Sequence, residues 1–291
     1  MTALWLAATL AAWGGVAPSR AMAPDTLVEV RRGDTLVLRH LLGVVTVRAW
    51  DGDAVGVEGW RGGALDIAAD REGGTVGIAP ATRRPGRLPH DLIVRVPRWL
   101  SVDVRGRSVD VSVEGVRAGV HVETVTGHVR VSGTRGLLEA RTVEGEVSLR
   151  DVEGTVAASS IDDDVRVSGV RGSLSIRTGD GDLVVEGANL ERLRAETLDG
   201  DVVFAGRLRP AGRYEISVHD GNVEVRIPPD SDVTMRVSTF DGEFASAFPV
   251  TLKGFRAGDA SEFTLGDGGA EFAIEVFDGD IHLATLRDGG R

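Results

Sequence analysis

Residues 138–149 read LEARTVEGEVSL and residues 193–204 read LRAETLDGDVVF. Laid over one another without a gap, they share the pattern apolar-x-apolar-x-Thr-x-acid-Gly-acid-apolar-x-apolar. Further segments fit it: VHVETVTGHVRV (120–131), VAASSIDDDVRV (156–167), LSIRTGDGDLVV (174–185), YEISVHDGNVEV (214–225), MRVSTFDGEFAS (235–246) and FAIEVFDGDIHL (272–283). The corner positions Gly127, Gly145, Asp163, Gly181, Gly200, Gly221 and Gly242 advance in steps of 18, 18, 18, 19, 21 and 21. A last step of 37, to Gly279, holds an insertion. Self-similarity at a fixed period of this length is the mark of a stacked repeat.

Within each unit the apolar residues alternate with period two, which puts Val120, Val122, Val129 and Val131 and their equivalents on one face of a strand. Glycine at the corner supplies positive φ at little energetic cost. A second turn follows in each unit, as in SGTRG (132–136), DVEG (151–154) and SGVRG (168–172). One unit cannot bury its valine face alone. Stacked coils can, each adding a strand at about 4.8 Å. The expectation is an all-β, single-chain, β-helix-like β-solenoid of about 18–21-residue coils, with capping β-structure at both ends. The alternative is an antiparallel meander in which each Asp-Gly corner is a hairpin turn. Gapless steps favour the solenoid, because they bring like residues into register. All 8 Phe lie at or after Phe204, where the coil lengthens. That implies a wider interior toward the C-terminus, closed by the insertion from about Pro249 to Ala270.

Four segments follow from the pattern. Residues 1–21 contain the apolar run ALWLAATLAAWGGVA (3–17) and end on Ser19-Arg20-Ala21, which reads as a secretory signal peptide. The run is shorter than the roughly 20 residues that span a bilayer. Residues 22–100 alternate with period two and carry a further Asp51-Gly52-Asp53 corner, so they form an N-terminal β region that caps or extends the stack. Residues 101–248 hold the solenoid repeats. Residues 249–291 hold the insertion, the last coil and a C-terminal cap.

The chain has 291 residues, 33 Lys plus Arg against 44 Asp plus Glu, a net charge of -11 and no Cys. Its global field repels phosphate backbones and anionic lipid heads, and no basic patch opposes it, so nucleic acid is not an expected partner. Without cysteine there is no disulfide framework, zinc-thiolate site, thiol nucleophile or lipid anchor. No second apolar run approaches the length of a membrane span, so no span is expected after signal removal.

The opening GVVTVRAWDGDAVGVEG, the link DLIVRVPRWLSVDV and the tandem TVEGEVSL and TLDGDVVF units resemble a bacterial, adhesin-labelled family of unknown function with tandem β-strand repeats, domain-of-unknown-function family four-zero-nine-seven. The resemblance covers nearly the whole mature chain. It implies an exported or envelope-associated repeat-β protein, and it brings no catalytic residues.

The most conspicuous chemistry is the corner carboxylates. Glu144, Asp162, Asp180, Asp199, Asp220, Asp241 and Asp278 precede the corner position, and Glu146, Asp164, Asp182, Asp201, Glu243 and Asp280 follow it. In a solenoid these become two columns, and like charges 4 Å apart cost about 1 kcal/mol even in bulk water. A calcium ion, with its tolerance for many oxygen ligands, could relieve that repulsion along a ladder of Asp162, Asp164, Asp180, Asp182, Asp199 and Asp201. Otherwise Asp and Gly serve as turn formers and the carboxylates splay into solvent. The run Asp162-Asp163-Asp164 reads as an exposed turn whose central Asp adopts the left-handed conformation, or as an acid and base for glycoside chemistry. His40, His90, His121, His128, His219 and His282 lack metal-ligand spacing. Trp50, Trp60 and Trp99 either plug the N-terminal end or form a sugar-stacking platform.

These readings converge on a secreted or periplasmic, non-enzymatic protein that presents an extended surface for adhesion, binding or scaffolding at the bacterial cell envelope, toward an envelope protein or a glycan. The rival is a polysaccharide-active β-helix enzyme, a lyase or glycoside hydrolase. A pure structural spacer is the third reading.

Overall fold

The computed structural model describes residues 26–58, 65–70, 74–80, 90–250 and 260–286. The expected signal peptide (1–21), Trp60 and residues 251–259 of the 249–270 insertion lie outside the described residues. Among the described residues every regular element is a strand, and there is no helix long and apolar enough to cross a membrane.

The chain is all-β and solenoid-like. Each repeat contributes two strands either side of its Asp-Gly corner, and like strands of successive repeats pair in parallel. Leu138 lies beside both Val120 and Val156, Val156 beside Leu174, and Leu174 beside Leu193. The second strands repeat this, with Val147 between Val129 and Val165. Through the first four repeats the paired residues differ by 18 in number, as the corner steps require. Parallel pairing removes the meander, in which neighbours would run antiparallel.

The interior is three columns of aliphatic side chains. Two come from the strands, and in them Val122, Val129, Val147 and Val165 are fully buried. The third comes from the second turn, where Val116, Thr134, Val152 and Val170 point inward. Each follows a residue in the left-handed region: Gly115, Gly133, Asp151 and Gly169, with φ from 51° to 75°. Burying a valine contributes roughly 1.5–3 kcal/mol, and here Val147 lies in register between Val129 and Val165 of the neighbouring coils.

The N-terminal region extends the stack. Thr35–Trp50 pairs in parallel with Ser101–Glu114 on one side and with Thr75–Pro80 and His90–Pro97 on the other. Antiparallel strands lie beyond, Leu65–Asp70 on Thr75–Pro80 and Ala54–Glu58 on His90–Pro97. Trp50 and Trp99 are half-buried at this end. Trp50 donates from Nε1 to Ala54 O at 2.9 Å, and Trp99 lies under the Arg32 guanidinium at 5.4 Å.

At the C-terminal end the coils do not stack in sequence order. The last repeat, Ala270–Asp278 with Ile281–Thr285, lies between Arg213–Asp220 and Val233–Asp241 and is parallel to both. The strand Ser261–Leu265 runs antiparallel to Val233–Val237 on its outer side. Both ends therefore share one device: the terminal coil of the chain is next to last in the stack, with both its edges paired and antiparallel strands outside it. This hides the open edges that would otherwise template further strand addition. Aromatic side chains enter the interior here. Phe204, Tyr214 and Phe272 pack with ring centroids 5.3–5.8 Å apart, and the Tyr214 hydroxyl donates to Leu190 O at 2.8 Å.

Candidate binding surface

The corner Thr-x-acid-Gly-acid holds the repeat's recurring chemistry, and each position has a separate role. The threonine points inward. Thr124, Thr142, Ser160, Thr178, Thr197 and Thr239 are buried, and their hydroxyls donate to corner carbonyls of a neighbouring coil: Thr142 to Gly127 O at 3.3 Å, Ser160 to Gly145 O at 3.1 Å and Thr239 to Gly279 O at 3.0 Å. A buried carbonyl without such a donor would be expensive.

The corner glycine is enforced by space as well as by φ. At Gly145 (φ 139°) a Cβ would stand 2.3 Å from Gly127 O, and at Gly200 (φ 135°) 2.3 Å from Gly181 O. Asp163 breaks this rule differently from expectation. Among the described residues only Asp151 and Ala211 are non-glycine residues with positive φ. Asp163 therefore does not adopt the left-handed conformation expected of it.

The residue after the corner accepts a backbone hydrogen bond from its counterpart one coil along. Asp164 Oδ1 accepts from Asp182 N at 2.8 Å, Asp182 Oδ1 from Asp201 N at 2.9 Å, and Asp201 Oδ1 from Asn222 N at 2.7 Å. The line continues through Asn222 and Asp280 to Glu243, following the inserted last coil rather than the sequence. Asp110 and His128 do the same at the other end. Between Glu146 and Asp164 the Arg166 guanidinium spans the gap, 3.1 Å from one carboxylate and 2.7 Å from the other. The signal was present in the sequence: Asp, Asn, Glu and His, all acceptors, occupy this position in every unit.

The predicted calcium ladder residues therefore fall in two settings. Asp164, Asp182 and Asp201 each have one oxygen on a backbone N–H, whereas Asp162, Asp180 and Asp199 belong to the outer, pre-glycine column. Among the described residues no group of three or more His, Asp or Glu converges on a point that could hold a metal ion. Asp162 and Asp163 are exposed, and Asp164 is paired with Arg166. His121 lies 3.0 Å from Glu139 on the next coil, and His282 is 4.0 Å from Asp280. The side chains of His40 and His90 lie outside the described residues.

Arginine–carboxylate pairs lace the outer sheet faces. Arg226 grips Glu224 through Nε at 2.7 Å and Nη2 at 2.5 Å, and the paired guanidinium holds that carboxyl below its ordinary range. Glu196 receives both Arg177 and Arg194.

The remaining corner position, between the threonine and the first acid, reads as an indifferent x in the pattern. It is nevertheless apolar in most units, and the structure turns it outward. Leu198 (65%), Phe240 (57%), Ile161 (53%), Phe277 (50%) and Val125 (43%) are exposed, with Val143, Gly179 and His219 at the same place in their coils. The result is an apolar stripe along one corner of the stack. It deepens into a groove of about 830 Å³ that runs from Ile161 past Gly179 to Leu198 and the aromatic end. There His219, Phe277 and Phe240 stack face to face, at 4.8 Å and 5.0 Å with planes 14° and 2° apart.

A parallel-stacked, repeat-built β protein with an exposed corner stripe is the class that this fold and surface define. Within that class the chain belongs to the family described as Toastrack DUF4097, which matches residues 45–284. No curated protein matches it. It is similar to the crystal structure of a "putative cell adhesion protein" from Clostridium sporogenes at 10% identity, over 89% of this chain and 98% of that one, with a TM-score of 0.22.

Proposed function

We propose that this chain is exported through its first 21 residues and acts without catalysis, as an envelope-associated stack of about 18–21-residue coils whose outer surface binds or scaffolds a partner. One observation carries the reading. Like side chains are held in register from coil to coil, so the exposed stripe of Val125, Ile161, Leu198, Phe277 and Phe240 is one continuous surface rather than scattered apolar residues. Contiguous apolar surface of this kind marks interaction sites. The Thr and post-glycine columns, by contrast, serve the fold through backbone hydrogen bonds. Antiparallel strands outside the terminal coils cap both ends and keep the stack from extending by edge pairing.

The test is cell fractionation of the tagged full-length chain, followed by cross-linking and capture from envelope extract. The chain is expected outside the cytoplasm, and capture of a partner is expected to depend on the stripe. A purely cytoplasmic location, or capture indifferent to Leu198→Ser and Phe240→Ser together, would overturn the reading.

A further inference from the structure

We propose that the corner stripe is a docking groove for an extended, basic, amphipathic segment of a partner protein. The inference rests on the reading that this surface binds and names the chemistry of the occupant. Its borders carry the argument. Along one side run the pre-glycine carboxylates from Glu144 to Asp241, held in register coil by coil: Asp180 pairs with Asp199, Asp199 with Asp220, and Asp278 with both Asp220 and Asp241. None of this column forms an ion pair among the described residues, whereas acids on the sheet faces are gripped by arginine. At one carboxylate per coil, about 4.8 Å, the column carries about 0.7 of the linear charge density of one DNA strand, whose phosphates are about 3.4 Å apart. The stripe is thus apolar and bordered, one residue further along each corner, by an uncompensated column of carboxylates; the groove on its other side is lined also by serines, Arg177, Glu196 and Glu275.

That combination selects among occupants. A sugar is less suited, because Phe277 has both faces covered by His219 and Phe240, while sugar stacking needs a ring face. A second copy is disfavoured by charge. Its opposite rim supplies Arg141 and Arg177, each already on a glutamate, together with Glu123 and Glu275, so carboxylates would be buried against little positive charge. An anionic membrane is repelled outright. An extended peptide with apolar side chains on one edge and Lys or Arg on the other satisfies both the apolar stripe and the carboxylate column beside it. Gly179, between Ile161 and Leu198 in the lining, projects no side chain into the groove.

The probe is a fluorescein-labelled peptide of about twelve residues, alternating Lys with Val, titrated with the full-length chain and followed by anisotropy. Lys-Ser and Glu-Val peptides of equal length are the controls. The Lys-Val peptide is expected to bind and to weaken at least about tenfold between low and physiological salt. Leu198→Ser with Phe240→Ser, and separately Asp180→Asn with Asp199→Asn and Asp220→Asn, are each expected to weaken it by about tenfold or more. All these positions are exposed, and circular dichroism checks the fold of each variant. Failure of the Lys-Val peptide to bind overturns the proposal. So does equal binding of the Lys-Ser peptide, which would reduce the effect to bulk charge. A dimer in sedimentation that Leu198→Ser with Phe240→Ser converts to monomer assigns the stripe to a second copy instead. If envelope capture still depends on the stripe while the peptide fails, the basic partner falls and the binding surface stands; if capture ignores the stripe too, both fall.

Discussion

Tyr214 stacks on Phe272, with ring centroids 5.3 Å apart and planes within 24°, although the two residues belong to strands whose paired backbones are 58 residues apart in the chain. The neighbour that sequence order assigns to Tyr214, Met235, lies on the far side of Phe272. The last repeat is therefore an inserted coil that holds its neighbours apart.

Ending the chain after Gly269 should remove that coil and leave Arg213–Asp220 and Val233–Asp241 with unpaired edges, and Phe204 and Tyr214 without their third ring. Exposed long apolar edges drive association. The truncated chain is expected to aggregate, or to sediment as oligomers, under conditions that keep the full chain monodisperse. A monomeric truncation with an unchanged melting temperature would show that the inserted coil is dispensable.

Thr134 occupies the third interior column in line with Val116 and Val152. It is 4% exposed, and its Oγ1 has no hydrogen-bond partner. A buried, unsatisfied hydroxyl costs about 1–3 kcal/mol, and valine has nearly its shape. Thr134→Val should therefore raise the unfolding free energy by about 1 kcal/mol, read as a higher denaturant midpoint at unchanged slope.

Corner substitutions should separate space from charge. Gly145→Ala places a Cβ 2.3 Å from a backbone oxygen at φ 139° and must shift the stack. Asp163, at the equivalent corner, already carries a Cβ. Gly145→Ala is expected to destabilise by about 3 kcal/mol or more, and Asp163→Ala by less than about 0.5 kcal/mol, both measured by urea unfolding.

The repeat, its period and its inward valines were legible because period-two alternation and a glycine corner follow directly from strand geometry. The order of the coils was not. Every unit offers the same edges, so nothing in FAIEVFDGDIHL states that it pairs between Tyr214 and Met235 rather than beyond Met235; only the long step before Gly279 leaves chain enough to return. The post-glycine residues were legible as columns of acceptors, but their partner was not, since it is a backbone N–H that carries no letter. The stripe is hidden by the pattern itself, where Val125, Ile161 and Leu198 occupy an x position. Its apolar bias was the available signal.

The Arg226–Glu224 grip gives a pH-dependent contribution. The guanidinium holds the folded-state carboxyl below its ordinary range, so the contribution is present above the unfolded carboxyl pKa, about 4.3. It is lost as pH falls through the folded value. Glu224→Gln should leave the acid unfolding midpoint less steep and narrow the stability gap between pH 7 and pH 3. An unchanged acid limb would show that the exposed pair contributes nothing, as many surface pairs do.

Asp182 tests what the post-glycine column is for. Its Oδ1 accepts from Asp201 N, and its own N–H donates to Asp164 Oδ1. Asparagine keeps the accepting oxygen and removes a charge from a column of like charges. Alanine strands the Asp201 N–H at a partly exposed corner. Asp182→Asn should therefore match or slightly exceed the parent's stability, while Asp182→Ala loses about 1 kcal/mol. If the column instead serves a divalent cation, millimolar calcium should raise the parent's melting temperature beyond what sodium chloride of equal ionic strength does, and Asp182→Asn should abolish that rise. The hydrogen-bond ladder leads us to expect equal melting temperatures in the two salts, with screening of the carboxylates as the common cause.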